Sequence, residues 1–305
     1  MFVQNDRSGH GDARELRERI VADMRAHDVV ADFVTPGDEE PIRTAVGRAA
    51  RRALDTASTL VAVGGDGTIN LAAAAAIEHA LPLGIVPAGT FNFVARGHGI
   101  PEESEAALAL LLDGEPRPTR TARLNERPFL VNASIGLYAR LLQERETFKH
   151  RFGRSRAVAS LAATFSALRP YHPMELTIRQ GTRERRTEAA TFIVGNNRLQ
   201  LELVGVADRP HPGAHELSAL LLHPVGHVTL LAMIWRGWRG EVAETRELES
   251  FLFERMEVDV PRRRARRITV ATDGEIVRET LPLVFSIEKR PLMLIRPPRI
   301  AENRE

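Results

Sequence analysis

Two apolar runs, each ending in a glycine-rich turn, constrain this chain more than any other feature. The first is Leu60-Val61-Ala62-Val63, which runs into Gly64-Gly65-Asp66-Gly67-Thr68. The second is Gly84-Ile85-Val86, which runs into Pro87-Ala88-Gly89-Thr90-Phe91-Asn92. A short apolar run stopped by glycine reads as a buried strand. The first turn then opens a helix-compatible stretch, Ile69 to Ala80. A strand feeding a glycine turn at a helix N-terminus presents unpaired N–H groups and the positive end of the helix dipole, which together make a cradle for phosphate. Two such turns close in sequence imply one crevice at the C-terminal edge of a parallel sheet.

The segments around these turns extend the pattern. Phe2-Val3-Gln4 reads as a short strand. Asp12 to Ala26 reads as a helix, with Leu16, Ile20 and Met24 on one face at a spacing of four. Val29 to Val34 follows as a strand, Ile42 to Leu54 as a helix, Leu83 to Val86 as a strand and Glu102 to Leu112 as a helix. Strands alternating with helices predict an α/β domain, a parallel sheet with helices on both faces. From Pro116 the texture changes to a Pro- and Arg-rich crossing and then to strand-like runs: Phe129–Ser134, Leu176–Arg179, Thr191–Val194, Leu217–Leu222, Met256–Val260, Ile268–Ala271 and Leu283–Ile287. Helices are expected at about 154–169 and 228–240. The second domain is therefore predicted to be mostly antiparallel β.

Composition excludes several classes of function. The chain has no cysteine, so disulfides, thiolate metal sites and cysteine catalysis are ruled out, and a cytoplasmic location is expected. No uninterrupted apolar run of membrane-spanning length occurs. Lys149 and Lys289 are the only lysines, and neither lies near a glycine turn. A P-loop and a protein-kinase site both require a lysine against the phosphates. Any phosphoryl chemistry must rest on backbone amides, Thr, Asn, Arg and carboxylate-held Mg²⁺. The net charge is only +2, yet residues 262 to 267 carry five arginines in six positions. That run suits either a solvated loop or an anionic membrane surface. Nucleic acid is not expected as a partner, because no aromatic residues interleave with it.

At this point the motifs resemble the diacylglycerol kinase catalytic-domain family, which includes bacterial lipid kinases and sphingosine kinases, with NAD kinases and phosphofructokinases as distant relatives. The resemblance rests on Gly64-Gly65-Asp66-Gly67-Thr68, on Pro87 to Arg96 followed by Gly99-Ile100-Pro101, and on three further matches in the family's order. These are Asn5 with Ser8-Gly9, Asn132-Ala133-Ser134-Ile135-Gly136, and Asp273-Gly274-Glu275 after the strand 268–271. It implies a nucleotide-binding α/β domain over 1–120, to which residues 287–305 return, and a β-rich lipid-acceptor domain over 121–286. ATP would lie in a cleft between the two.

The resemblance and the chemistry together suggest roles. Gly64, Gly65 and Gly67 would let the backbone approach the triphosphate, with Thr68 adding a hydroxyl and Asn5, Ser8 and Gly9 completing the cradle. Asp66 either holds Mg²⁺ or caps the following helix. Thr90 and Asn92 either wall the nucleotide site or only form the turn. Arg96 pairs with phosphate or with a nearby carboxylate. Asp273 would be the base that deprotonates the lipid hydroxyl, with Glu275 as a second acid. The competing reading of Asp273-Gly274 is an ordinary hairpin turn. At positions i and i+2 of an extended segment, the two carboxylates would point to one side.

The chain departs from the family in places. Asp6 stands where the N-terminal turn has Pro. Gly213-Ala214-His215-Glu216-Leu217 replaces an Asp-Gly-x-L strand, which puts a second, structural Mg²⁺ in doubt. Residues 196–201 lack the expected glycines, so the lipid is left unnamed. His211 with His215, and His223 with His227, have metal-like spacing, but Pro212, Gly213, Pro224 and Gly226 break any helix that would align them. The expected activity is transfer of the γ-phosphoryl group of ATP to a lipid hydroxyl at a transiently visited membrane surface. A soluble acceptor such as NAD and a catalytically weak lipid-binding protein are the alternatives, and a homodimer stays open.

Overall fold

The computed structural model of the chain describes residues 1–6, 13–89, 92–143, 171–196, 215–230, 232, 247–261 and 266–298. Ser8, Gly9, Thr90, the expected helix 154–169, most of 228–240 and Arg262 to Arg264 lie outside the described residues. The chain divides into two compact units, one of residues 1–121 with 288–305 and one of residues 122–287.

Unit 1 is built on a six-stranded sheet. Its strands, in sequence, are β1 (Phe2–Gln4), β2 (Phe33–Val34), β3 (Leu60–Gly64), β4 (Pro82–Pro87), β5 (Glu115–Thr119) and, from the C-terminal segment, β18 (Leu292–Arg296). Their spatial order is β2-β1-β3-β4-β18-β5. All pairings are parallel except that of β5 with β18. The two prolines of β5, Pro116 and Pro118, are tolerated because β5 is the edge strand and needs hydrogen bonds on one side only.

Helices cover both faces. On one, Ile20 and Met24 of α1 (Ala13–Ala26) and Leu108 of α5 (Ser104–Asp113) pack with Phe2, Val61, Val63 and Val86. On the other lie α2 (Ile42–Asp55) and α3 (Asp66–His79), which pack against each other and are rich in buried alanines, among them Ala49, Ala53, Ala72 and Ala76. Small side chains let these two helices approach closely. Helix α3 starts at Asp66 rather than Ile69, because Gly65 takes the N-cap and an acid in the first turn suits the dipole. The expected strand 29–34 shrinks to Phe33–Val34: the N–H of Val29 still bonds the carbonyl of Met24 to finish α1, at 2.9 Å. A short helix, α4 (Phe93–Gly97), has no counterpart in the sequence reading.

Unit 2 is a sandwich of two six-stranded, mainly antiparallel sheets. One has the order β10-β9-β14-β17-β6-β7, from Arg183–Ala189, Met174–Gln180, Arg255–Asp259, Leu283–Ile287, Ala122–Leu124 and Arg127–Phe129. The other is β13-β12-β11-β8-β15-β16, from Leu248–Phe253, Leu217–Leu222, Thr191–Gly195, Asn132–Gly136, Arg267–Thr272 and Glu275–Thr280. The inner faces close one core around Phe129, Ile135, Leu176, Phe192, Val258 and Phe285. The single run expected over 129–134 is split, since β7 ends in one sheet and β8 begins in the other. Among the described residues, no helix is long and apolar enough to cross a membrane.

Candidate active site

The two glycine turns meet backbone to backbone. β3 and β4 pair in register, Gly64 opposite Pro87, and the N–H of Ala88 reaches the carbonyl of Gly64 at 2.9 Å. One residue further on, a Cβ placed on Gly89 would stand 2.6 Å from the Cα of Gly65, and one on Gly65 would stand 3.2 Å from the Cα of Gly89. Neither glycine has a positive φ, so here it is space and not conformation that demands glycine.

Side chains then lock the turns together. Asp66 Oδ1 accepts the N–H of Val94 at 3.1 Å, which ties the start of α3 to the start of α4. Burial pushes the Asp66 carboxyl up from its ordinary value, against the lowering effect of the amides of Val94, Phe93, Asp66 itself and Asn92. Asn92 sits in the left-handed region at φ 49°, a conformation its short polar side chain tolerates, and precedes α4. Its Oδ1 accepts the N–H of Gly89 at 3.0 Å, and its Nδ2 donates to Glu102 Oε2 at 3.1 Å. Glu102 also faces Arg96, 3.7 Å from its Nε, so a carboxylate partner for Arg96 is at hand. Thr68 is buried, with its Oγ1 3.4 Å from Nδ2 of Asn5, whose own N–H bonds the carbonyl of Val63. Asn5, Gly64, Gly65, Asp66, Gly67, Thr68 and Asn92 thus gather at the C-terminal edge of the unit 1 sheet.

Sequence reasoning missed Glu102 and the α4 amides. Glu102 follows directly on Gly99-Ile100-Pro101, but nothing in that spacing tells which of two adjacent glutamates reaches Asn92. His98 was missed as well. Its Nε2 is buried without a hydrogen-bond partner among the described residues, and burial, with the Arg296 guanidinium nearby, lowers its pKa to about 4.

The expected geometry of Asp273 and Glu275 needs correction. The two do not lie on one extended segment. Asp273 and Gly274 have φ of 48° and 83° and form the two-residue turn between β15 and β16. Positive φ at both central positions is the type I′ hairpin, so the hairpin reading of this dipeptide is realised. The turn sends the two acids to different surroundings: Asp273 is 2 % exposed, whereas Glu275 is exposed at the start of β16. The Asp273 carboxylate accepts the N–H groups of Leu130, Val131 and Asn132 at 2.7, 2.8 and 2.9 Å.

The unit 1 residues fit a nucleotide and its metal. The glycine turns bring the start of α3 to the sheet edge, the first amides of α3 lack partners within their helix, and Asp66 is a hard oxygen donor suited to Mg²⁺. No group of three or more His, Asp or Glu assembles into a metal site among the described residues, so Asp66 would share Mg²⁺ with phosphate oxygens. His223 lies 3.5 Å from Glu249 and belongs to no metal cluster among the described residues.

Comparison with known proteins agrees with the motifs. Residues 1–124 match the family model of the diacylglycerol kinase catalytic domain. A diacylglycerol kinase of Mycobacterium tuberculosis is 25 % identical over 301 residues, covering 97 % of this chain and 94 % of its own. A protein of Klebsiella pneumoniae named "Probable lipid kinase YegS-like" is 41 % identical over 80 residues, 26 % of this chain and 27 % of its own. The crystal structure of a diacylglycerol kinase from Bacillus anthracis superposes with a TM-score of 0.65 at 17 % identity, over 97 % of this chain and 96 % of that one, which shows a shared fold.

Proposed function

Since residues 1–124 belong to the diacylglycerol kinase catalytic-domain family, we propose that the chain is an ATP- and Mg²⁺-dependent lipid kinase acting on a hydroxyl of a diacylglycerol-like or related lipid. The observation that carries this reading is the backbone contact of Gly65 with Gly89, with Asp66 bridging to the amide of Val94. It supports a phosphate cradle made of amides and one carboxylate, which is what a chain without a lysine at its glycine turns must use. In the reaction, the lipid hydroxyl oxygen forms a bond to the γ-phosphorus and the bond from that phosphorus to the β,γ-bridging oxygen breaks. ADP leaves, and the hydroxyl proton passes to a carboxylate. Mg²⁺ would neutralise charge on the phosphate oxygens. Asp66 would hold it, the α3 amides would orient the phosphates, and Glu102 would keep Asn92 and the second turn in place. By resemblance to the family, the proton acceptor is expected among the acids of the Asp273-Gly274-Glu275 motif.

An apolar acceptor is supported by the outer face of the β8-containing sheet. There Ile193 and Leu220 pack with Tyr138 and Leu248, and Ser134, buried and cross-strand from Ile193, has a hydroxyl with no hydrogen-bond partner among the described residues. A row of aliphatic side chains with one hydroxyl suits a lipid better than a dinucleotide. We place the work at a membrane visited transiently from the cytoplasm. A second reading, a lipid-binding protein of weak activity, is favoured by the engagement of Asp273 with three amides.

The test is γ-phosphate transfer from labelled ATP, with Mg²⁺, into a total lipid extract, wild type against Asp66→Asn. A labelled lipid formed by wild type alone supports the proposal. Label in a water-soluble product moves the reading to a soluble acceptor. Lipid co-purifying without transfer, with ATP still bound, moves it to the weak or regulatory protein.

A further inference from the structure

Arg17 stands one turn into α1, and its guanidinium grips the chain on both sides of Asn5. Its Nε donates to Oε1 of Gln4, the last residue of β1, at 3.0 Å. Its Nη2 donates to both carboxylate oxygens of Asp6, at 2.9 Å each. The guanidinium carbon also lies 5.7 Å from the centroid of the Phe33 ring, a cation–π distance, and that ring stacks on Phe2 of β1. Gln4 is 2 % exposed, and its Nε2 donates to the carbonyl of Ala13 at 2.7 Å, so both ends of its amide are tied to α1. Asp6 stands where the turn that this one resembles has proline. Proline fixes its own φ. Aspartate does not, and the ion pair with Arg17 supplies from outside a restraint that the ring would supply from within.

Between the two held residues, Asn5 donates from Nδ2 to Oγ1 of Thr68 at 3.4 Å, while its N–H bonds the carbonyl of Val63 at 3.3 Å. Thr68 is the third residue of α3 and 4 % exposed. A hydroxyl has one hydrogen to give and two sites that accept. With one site filled by Asn5, the hydrogen of Thr68 is left for another oxygen, and none takes it among the described residues. A contact of 3.4 Å is long for a hydrogen bond, so a small displacement of Asn5 would break it.

We propose that Arg17 is a positioning residue of the phosphate cradle: by holding Gln4 and Asp6 it sets Asn5, and Asn5 in turn aims the Thr68 hydroxyl at an anionic oxygen of the nucleotide. This rests on the nucleotide reading of the glycine turns, and not on which acceptor receives the phosphate.

The probe is MgATP, titrated by calorimetry, with thermal melting of the same samples. Arg17→Gln keeps a side-chain nitrogen near the place of Nε, so Gln4 keeps a donor and the grip on Asp6 is lost. A partly exposed ion pair adds little stability, so this variant should melt within about 3 °C of wild type. A misdirected hydrogen bond to a charged oxygen should nonetheless weaken MgATP binding about 5- to 20-fold. Asn5→Ala should weaken it by a similar factor. Arg17→Gln added to Asn5→Ala should then cost less than about 2-fold more, because the link is already cut. An Arg17 that served the fold alone would lower the melting point and multiply its effect with that of Asn5→Ala. Should Arg17→Gln fail to fold, Asp6→Asn takes its place, with the same coupling to Asn5→Ala.

Three results overturn the proposal. They are wild-type affinity for MgATP in Arg17→Gln, effects of Arg17→Gln and Asn5→Ala that multiply in the double variant, and a wild-type chain that binds no MgATP, which removes the nucleotide reading as well. A wild-type chain that binds MgATP but labels no lipid refutes the lipid-kinase reading alone, and the titrations still decide the role of Arg17.

Discussion

Gly89→Ala is the sharpest test of how the glycine turns work, because the glycine is required there for space alone. Its φ is one that alanine adopts freely, so backbone strain does not enter. The new Cβ would meet the Cα of Gly65 at 2.6 Å and Oδ1 of Asn92 at 2.9 Å, both inside any tolerated contact. Relief to an ordinary separation near 3.5 Å requires a shift of roughly 0.9 Å. Gly65 resists it, since it directly follows the buried strand β3, whose last residue is paired to Pro87 and bonded to the N–H of Ala88. Asn92 can yield only by giving up its bond from the N–H of Gly89. Overpacking of about 1–3 kcal/mol with a lost hydrogen bond of about 1 kcal/mol gives a destabilisation of about 2–4 kcal/mol. That corresponds to a melting point about 5–15 °C lower. A displacement near 1 Å in a phosphate cradle should also cost about 10²-fold in kcat/KM for ATP. Gly65→Ala, with its closest contact at 3.2 Å, should show the same two effects at about 1 kcal/mol or less. Gly181→Ala, where a φ of 58° but no contact is at stake, should lose about 1 kcal/mol and no activity. Thermal melting and transfer kinetics at varied ATP read both quantities. Wild-type melting and kcat/KM for ATP in Gly89→Ala would refute the contact and the argument built on it.

Other perturbations separate stability from catalysis. Asp66 is charged at a cost, since burial raises its pKa; the cost is present above that raised pKa and is relieved as pH falls towards 3.8. Asp66→Asn keeps an acceptor for Val94, so it should melt at or above wild type at neutral pH while transfer falls at least about 10²-fold; a lower melting point would contradict the desolvation account. His98 has its pKa lowered from 6.5 to about 4, so it is neutral in the fold, and the stability this confers is complete above pH 6.5 and lost as pH falls towards 4. Urea unfolding should therefore show up to about 2 kcal/mol less stability at pH 5 than at pH 7.5, and His98→Leu should flatten that slope; an unchanged slope would exclude His98 as its source. Glu102→Ala frees the Asn92 amide and Arg96, and should raise KM for ATP about 3- to 10-fold with a smaller change in kcat, with Glu102→Gln restoring part of it. Equal KM values in all three proteins would remove Glu102 from the site.

What the sequence made legible follows from range. The strand–turn–helix of Leu60 to His79 is local, with apolar residues, a glycine stop and helix formers written side by side, and the structure differs from the expectation by three residues at the helix start. Strand β10, Arg183–Ala189, was not legible: its polar run has no alternation, and pairing with β9 over seven residues, not its own pattern, makes it a strand. Helix α4 is one turn long and is held partly by Asp66, 28 positions earlier.

The two Asp-Gly dipeptides make the same point about the site. Asp66-Gly67 opens a helix and Asp273-Gly274 makes a type I′ turn, so the dipeptide alone selects neither. The first carboxylate is dominated by desolvation and sits where the two glycine turns touch backbone to backbone. The second is taken up by amides 141 to 143 positions away, partners that carry no side-chain identity and leave no trace in any motif. Motif order can therefore locate an acid at a site, but whether that acid reacts or holds the backbone depends on N–H groups that every residue type except proline supplies alike.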